Sequence, residues 1–189
     1  MLLAIHYQGK LMKKDSAYNN GKGVFIFQGD NKYDAGMYSL VGGGKRILDF
    51  LMDDIQQFTY NLDTTGNLHN FSVTGSPENT EMLRFQQKTL EAMKNKAKWI
   101  EKRKNFAEKN TDSVDYYLEK IKDLDSEMEQ FISEIIDRNP TFLFSKFQKS
   151  NRDIKIPDPP VYADGSIDSS FQAVYYRMHY WDNFDLTDR

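Results

Sequence analysis

The stretch from Ser76 to Asn139 constrains the chain most, because it reads as two long helices folded back on each other. Ser76-Pro77-Glu78 is a helix start. The serine hydroxyl can accept a backbone N–H, proline loses nothing at the first helical position, and the carboxylate meets the positive end of the helix dipole. From there Leu83, Leu90 and Ala97 recur every seven residues, and Met93, Ile100 and Ala107 form a second row with the same spacing, offset from the first by three. No Gly or Pro interrupts up to Asn110, so one face of a long helix is expected to be apolar. Asn110-Thr111-Asp112 offers a turn and a fresh N-cap. Beyond it Val114, Ile121, Met128 and Ile135 keep the same spacing, with Tyr117, Leu124 and Phe131 between them. The expectation is a helical hairpin over residues 76–139.

Charge supports the pairing. Residues 77–109 hold nine Lys or Arg against five Glu, a balance of +4, whereas residues 111–139 hold three Lys or Arg against nine Asp or Glu, a balance of −6. Opposite signs favour antiparallel neighbours. The basic run Lys94, Lys96, Lys98, Lys102, Arg103 and Lys104, with Trp99 inside it, has the residue types of a nucleic-acid patch. With an acidic helix as its partner and a whole-chain charge of −3, it is better explained as a solvated, internally neutralised face, and no nucleic-acid partner is expected.

A chain of 189 residues with 39% hydrophobic and 14% aromatic content can bury an ordinary core in one domain or two small ones. It contains no cysteine, which excludes disulfides, thiolate metal sites and thiol catalysis on this chain. No apolar run reaches the ~20 residues needed to span a bilayer, and the leading Met1-Leu2-Leu3-Ala4-Ile5 turns polar at His6, too soon for a signal-peptide core.

Residues 1–75 read as strands. Leu3, Ile5 and Tyr7 alternate with Ala4 and His6, and Asn19-Asn20-Gly21 precedes Gly23-Val24-Phe25-Ile26-Phe27 as turn precedes strand. Gly36 to Val41 leads through Gly42-Gly43-Gly44 into an apolar strand from Ile47 to Met52, and Phe58, Tyr60, Leu62 and then Phe71, Val73 mark two more. With no helical segment between them, these make an antiparallel β domain over residues 1–75, as a sheet or a small sandwich. Because the chain begins inside an alternating pattern, its natural N-terminus is expected upstream of Met1.

Residues 76–189 form the expected helical domain. After the hairpin, Asn139-Pro140-Thr141 starts a short helix over 140–151, and Ile156-Pro157-Asp158-Pro159-Pro160-Val161 lies in an extended connector over 152–167. Asp164-Gly165 marks a turn. Asp168 or Ser169 caps a last helix over 168–184, in which Phe171, Tyr175, Tyr176, Tyr180, Trp181 and Phe184 crowd into fourteen residues. One expectation is that Phe171, Tyr175 and Met178 share a face that packs on the hairpin. The other is that the six aromatics form a docking surface, since Tyr and Trp are favoured at interfaces. The predicted fold class is therefore α+β.

The chemical motifs are weak. Gly42-Gly43-Gly44-Lys45-Arg46 lacks both the earlier glycine and the Ser or Thr of a phosphate loop and fits a hairpin turn. Asp53 and Asp54 with His69 are the residue types of a metal or acid–base site, but paired acids at a strand end are more simply a solvated turn. His6, His69 and His179 share no ligand spacing, and Asp158, Asp164 and Asp168 do not fit a calcium loop. No catalytic residue, metal or cofactor is expected on this chain.

The succession Asn139-Pro140 to Lys149, then Ile156-Pro157-Asp158-Pro159-Pro160, then Asp168-Ser169-Ser170-Phe171 and Tyr175-Tyr176-Arg177-Met178-His179-Tyr180-Trp181-Asp182-Asn183-Phe184-Asp185-Leu186, resembles a helical region of unknown function. In that family the region directly precedes a thioredoxin-like domain, in envelope proteins of anaerobic Gram-negative bacteria. Gly36-Met37-Tyr38, the strand Ile47 to Met52, and Phe71-Ser72-Val73-Thr74-Gly75-Ser76-Pro77-Glu78-Asn79 are similar to the β-rich domain that opens those proteins. The resemblance implies a non-catalytic accessory module of an exported thiol–disulfide oxidoreductase, with the Cys-x-x-Cys chemistry in a domain beyond Arg189. Its implied partners are that thioredoxin-like domain and an unfolded or disulfide-bearing client. Its implied location is the cell envelope, as a periplasmic protein or an outer-membrane lipoprotein whose lipid anchor lies outside this sequence. Two further expectations stand beside it: a free-standing envelope module that binds peptide or glycan in a groove between sheet and hairpin, and a hydrolase using Asp53, Asp54 and His69.

Overall fold

In the computed structural model, which describes residues 1–106 and 111–184, the chain is an α+β protein. It forms two compact units, Met1–Glu134 and Ile135–Arg189.

The first unit opens with β1, Leu2–Tyr7, and β2, Lys10–Ser16, paired antiparallel around Gln8-Gly9. Both turn residues have positive φ, 47° and 74°, as a tight hairpin that follows the strands' right-handed twist requires. β3, Gly36–Gly42, and β4, Lys45–Met52, pair around Gly43-Gly44, so the triple glycine is a hairpin turn. The four strands form one antiparallel sheet in the order β2-β1-β3-β4. Side-chain alternation puts Leu3, Ile5, Tyr38, Phe50 and Met52 into one buried cluster, with Phe27, Tyr33, Leu40, Phe58 and Tyr60 packed against it. Each such apolar side chain contributes roughly 1.5–3 kcal/mol by leaving water. β5, Thr59–Asn61, and β6, Ser72–Thr74, form a separate two-stranded sheet.

Two expectations fail in this half. β2 has no clean apolar alternation and was not expected as a strand; the Gln8-Gly9 turn brings it against β1. Conversely, residues 24–27 form no strand. The Asn19 carboxamide oxygen accepts from the N–H groups of Gly21 and Gly23, and that of Asn20 accepts from Lys22 and Val24. Backbone groups that a ladder would need are thus engaged locally, and Phe27 reaches the core from a loop.

α1, Pro77–Phe106, begins where the sequence places it. The Asn79 N–H donates to Ser76 Oγ at 3.2 Å. Asn79, 1% exposed, then closes the free edge of β4. Its Oδ1 accepts from the Leu51 N–H and its Nδ2 donates to the Leu51 carbonyl, both at 2.8 Å. Two turns further on, Gln86 Nε2 donates to the Asp49 carbonyl at 3.0 Å. Side-chain amides therefore take the place of a fifth strand, leaving these edge groups paired. Leu83 packs with Leu48 and Phe71 beside this edge.

α2, Thr111–Arg138, runs antiparallel to α1. Phe106 stacks on Tyr117 at 6.2 Å, Lys96 pairs with Asp125 at 2.6 Å, and Lys88 lies 4.4 Å over the Phe131 ring, so contacts fall along α1 as they rise along α2. The basic face is neutralised in part by its acidic neighbour, as the charge balance implies. The expected apolar row is not the seam. Met93 is 65% exposed, Ile100 39%, and Ala97 is exposed as well. A strict seven-residue row drifts about 20° per heptad around a straight helix. Here it begins at Leu83, which faces the sheet, and overruns it. Ala107 and the Asn110 turn lie outside the described residues.

The second unit carries α3, Leu143–Ser150, and α4, Phe171–His179. Asn139-Pro140-Thr141 is a turn and not a helix start: the Phe142 N–H donates to the Asn139 carbonyl at 3.2 Å, and α3 opens at Leu143 without a side-chain cap. Asp168 likewise does not cap α4. Its carboxylate accepts from the Ser170 N–H and hydroxyl at 2.9 and 2.7 Å, which turns the chain before the helix begins. The connector through Pro157, Pro159 and Pro160 has no regular structure, and Val161 bridges to Ile167 across the Asp164-Gly165 turn.

Candidate interaction surface

α4 and the turn after it separate the six predicted aromatics into two groups. Phe171 and Tyr175, four residues apart on one helical face, are half-buried, with centroids 5.8 Å apart, and Tyr175 lies 4.1 Å from the His179 ring. On the other side Tyr176 meets Tyr180 at 5.6 Å. The helix ends at His179, and the Asp182 N–H donates to the His179 carbonyl while the Phe184 N–H donates to that of Trp181. This curl returns Trp181 and Phe184 to Tyr180. Tyr180 and Trp181 stand at 90° with centroids 4.8 Å apart, Trp181 and Phe184 at 65° and 5.0 Å, and Tyr180 stacks on Phe184 at 6.0 Å. His179 Nδ1 and Asp182 Oδ2, 2.6 Å apart, pin the curl.

Tyr176, Tyr180, Trp181 and Phe184 thus form a contiguous face, and they are 45, 41, 55 and 37% exposed. Aromatic side chains carry roughly 150–250 Å² each, and rings that touch one another while facing water keep much of that gain for a partner. Met178, expected on the buried side with Phe171 and Tyr175, is 74% exposed and belongs to no buried face.

The remaining candidates do not assemble. Asp53 and Asp54 lie in the loop after β4 and His69 in a single 3-10 turn, Leu68–Asn70; no hydrogen bond or ion pair joins the three. Among the described residues no three His, Asp or Glu side chains are grouped for a metal. A cleft of about 510 Å³ lies between the loops 27–33 and 54–57, where Gln56 holds the Tyr33 backbone at both N–H and carbonyl, each at 2.9 Å. Another, of about 290 Å³, lies between α1 and α2 beside Trp99, Lys102 and Tyr117. Neither cleft is lined by a histidine.

Sequence reasoning missed one constellation. His6 Nε2 lies 2.8 Å from Ser39 Oγ, which donates to Asp49 Oδ1 at 2.5 Å. These are the residue types of a hydrolytic triad in the wrong order. In a triad the imidazole stands between acid and hydroxyl and takes the hydroxyl proton; here the serine stands between the other two and donates its hydrogen bond to the carboxylate. Ser39 is fully buried and directly opposite Asp49 in the β3–β4 register. The trio is a polar ladder across β1, β3 and β4, on the face away from Tyr38 and Phe50.

Comparison of the chain with protein-family models, with curated proteins and with solved structures gives no match.

Proposed function

We propose that this chain is a non-catalytic interaction module that works through the exposed face of Tyr176, Tyr180, Trp181 and Phe184. The observation that carries this is the combination of mutual ring contact and exposure at those four residues. Supporting it, the His6, Ser39 and Asp49 side chains stand in an order suited to structure, with the buried serine between the other two and donating to the carboxylate. The setting is taken from the resemblance of the sequence motifs: an accessory module of an exported thioredoxin-like oxidoreductase in the cell envelope, presenting unfolded or disulfide-bearing clients to a redox domain beyond residue 189. A chain with no cysteine suits that post, since it offers nothing to be misoxidised. The same rings can stack on sugars, which favours a free-standing peptide- or glycan-binding module as the second reading.

A Trp99→Phe variant leaves Trp181 as the sole indole. Titrated with a reduced, carboxymethylated unfolded protein, its emission shifts to the blue and saturates; emission that stays unchanged up to ~1 mM, the weak end of specific binding, removes the interaction role. Thiol trapping on the natural full-length protein tests the setting separately. A mixed disulfide with a client supports it, and a natural protein without cysteine reduces the proposal to the binding module alone.

A further inference from the structure

We propose that α1 pairs with α1 of a second copy of this chain, antiparallel, through Leu90, Met93, Ala97 and Ile100. These four follow one another at spacings of three, four and three residues, the seam pattern of a two-helix coiled coil. The helix turns them to one side, and past the sheet that side is open. Met93 is 65% exposed, Ile100 39%, and Ala97 between them is exposed as well. α2 lies elsewhere around the helix, against Phe106 and Lys96. The surface is separate from the aromatic face after α4 and holds or fails without it.

Charge selects the partner. One flank of the seam carries Lys94 and Glu101, both exposed and seven residues apart. Seven residues make two turns, which returns both side chains to the same flank but leaves them about 10 Å apart along the axis, too far to pair within one helix. A twofold antiparallel pair sets like flank against like flank, so Lys94 of each copy meets Glu101 of the other. An acidic partner or an anionic membrane would satisfy Lys94 and confront Glu101 with its own sign; a second copy running the other way satisfies both. The opposite flank carries Lys96 and Arg103. Lys96 is already held by Asp125 at 2.6 Å, so Arg103 faces a neutralised pair. Lys104 continues the seam row and sets the direction. With Ala97 opposite Ile100, it falls opposite Met93, where its stem packs and its ammonium reaches water; a parallel pair would set Lys104 against itself. From residue 90 to 104 the seam is about 21 Å long, at the low end of interface sizes, under ~1,200 Å². A dissociation constant of about 10 μM to 1 mM is expected.

Sedimentation equilibrium on the 189-residue chain reads the association directly. Lys94→Glu and Glu101→Lys are each expected to weaken the dimer at least ~10-fold, and the double variant to recover the parent affinity to within ~2-fold, because the swapped pair meets again across the seam. Both positions are exposed, so the unfolding midpoints are expected to stay at that of the parent. Ile100→Glu, which buries a carboxylate in the seam, is expected to abolish the dimer with the helical circular dichroism unchanged. A chain that is monomeric at ~1 mM, the weak end of specific binding, overturns the proposal. So does a dimer indifferent to the single swaps, or one that the double variant does not restore. Dissociation by Trp181→Ala also overturns it, since the rings after α4 are then the contact. A monomer that sediments with anionic phospholipid vesicles makes the stripe a membrane surface and overturns it as well.

Discussion

The molecule uses aromatic side chains twice, with similar ring-to-ring geometry and opposite exposure. In the first unit Tyr33, Tyr38, Phe50, Phe58 and Tyr60 touch at 5.7–6.2 Å. In the second, Tyr176, Tyr180, Trp181 and Phe184 touch at 4.8–6.0 Å. Yet Tyr38 is 0% exposed and Phe50 3%, against 41% for Tyr180 and 55% for Trp181. Ring contact alone therefore does not decide the role of an aromatic cluster. What decides it is whether the fold brings a second layer over the rings. In the first unit strand alternation points Tyr38, Phe50 and Tyr60 inward, and flanking loops add Tyr33 and Phe58; in the second a helix end curls four aromatics into a face that still meets water.

The largest test of that contrast is Phe50→Ala. Removing a ring from a filled core costs the transfer energy and leaves a cavity, about 3–5 kcal/mol. Urea unfolding followed by tyrosine fluorescence is expected to lose that much; a cost below about 1 kcal/mol would mean that the sheet face is no more closed than the α4 face. Asn79→Ala comes next. It strands the Leu51 N–H and carbonyl on the buried edge of β4, and an orphaned buried group costs roughly 1–3 kcal/mol. Hydrogen exchange at the Leu51 amide is expected to speed up selectively, where a uniform change across β1 to β4 would point to global loosening instead.

Alkali sharpens the comparison by a third route. Burial, and then donation to Asp15 at 2.7 Å, push the Tyr33 phenol up to about 12; burial alone raises Tyr60, and burial raises Tyr38 against the opposing charge of Lys14. The folded state holds these protons more tightly than an unfolded chain, whose tyrosines ionise near ~10. Their contribution is complete below about 10 and is lost as pH rises through the folded value. The urea midpoint is expected to hold up to about pH 10 and to fall between there and about 12, more shallowly in Tyr33→Phe. An unchanged slope in that variant would remove Tyr33 from the account.

Much of the scaffold is legible in the sequence because local chemistry and tertiary outcome agree. Ser76-Pro77 starts a helix wherever it stands, and Leu3 and Ile5 alternate as half-buried strand residues do. The failures are places where a distant partner decides. β2 is a strand because β1 lies beside it, and the run expected to open a strand at Gly23-Val24 is held in a bend because two asparagines upstream capture those N–H groups. The heptad row on α1 was legible as a row, but whether it faced a helix or a sheet was not. Ser39 and Asp49 meet through hairpin register, and counting outward from Gly43-Gly44 would have brought them within one residue of each other; His6 reaches them only through β1. The six aromatics of α4 and the turn after it were legible as a group, and their division into half-buried and exposed rows depended on where the helix stops.

The smallest expected effect on stability falls at the residue with the largest expected effect on binding. Trp181 is more exposed than not, so Trp181→Ala removes contacts with Tyr180 and Phe184 but opens no cavity. Its cost should stay near the ±0.5 kcal/mol of ordinary surface substitutions, plus part of the roughly 0.5–1.5 kcal/mol that an aromatic pair contributes. A Trp181→Phe variant keeps a ring in place and should recover part of any binding lost. If Trp181→Ala instead unfolds the second unit as Phe50→Ala weakens the first, the face is a core after all. The rings would then hold the turn after α4 together, and a partner would have to dock elsewhere.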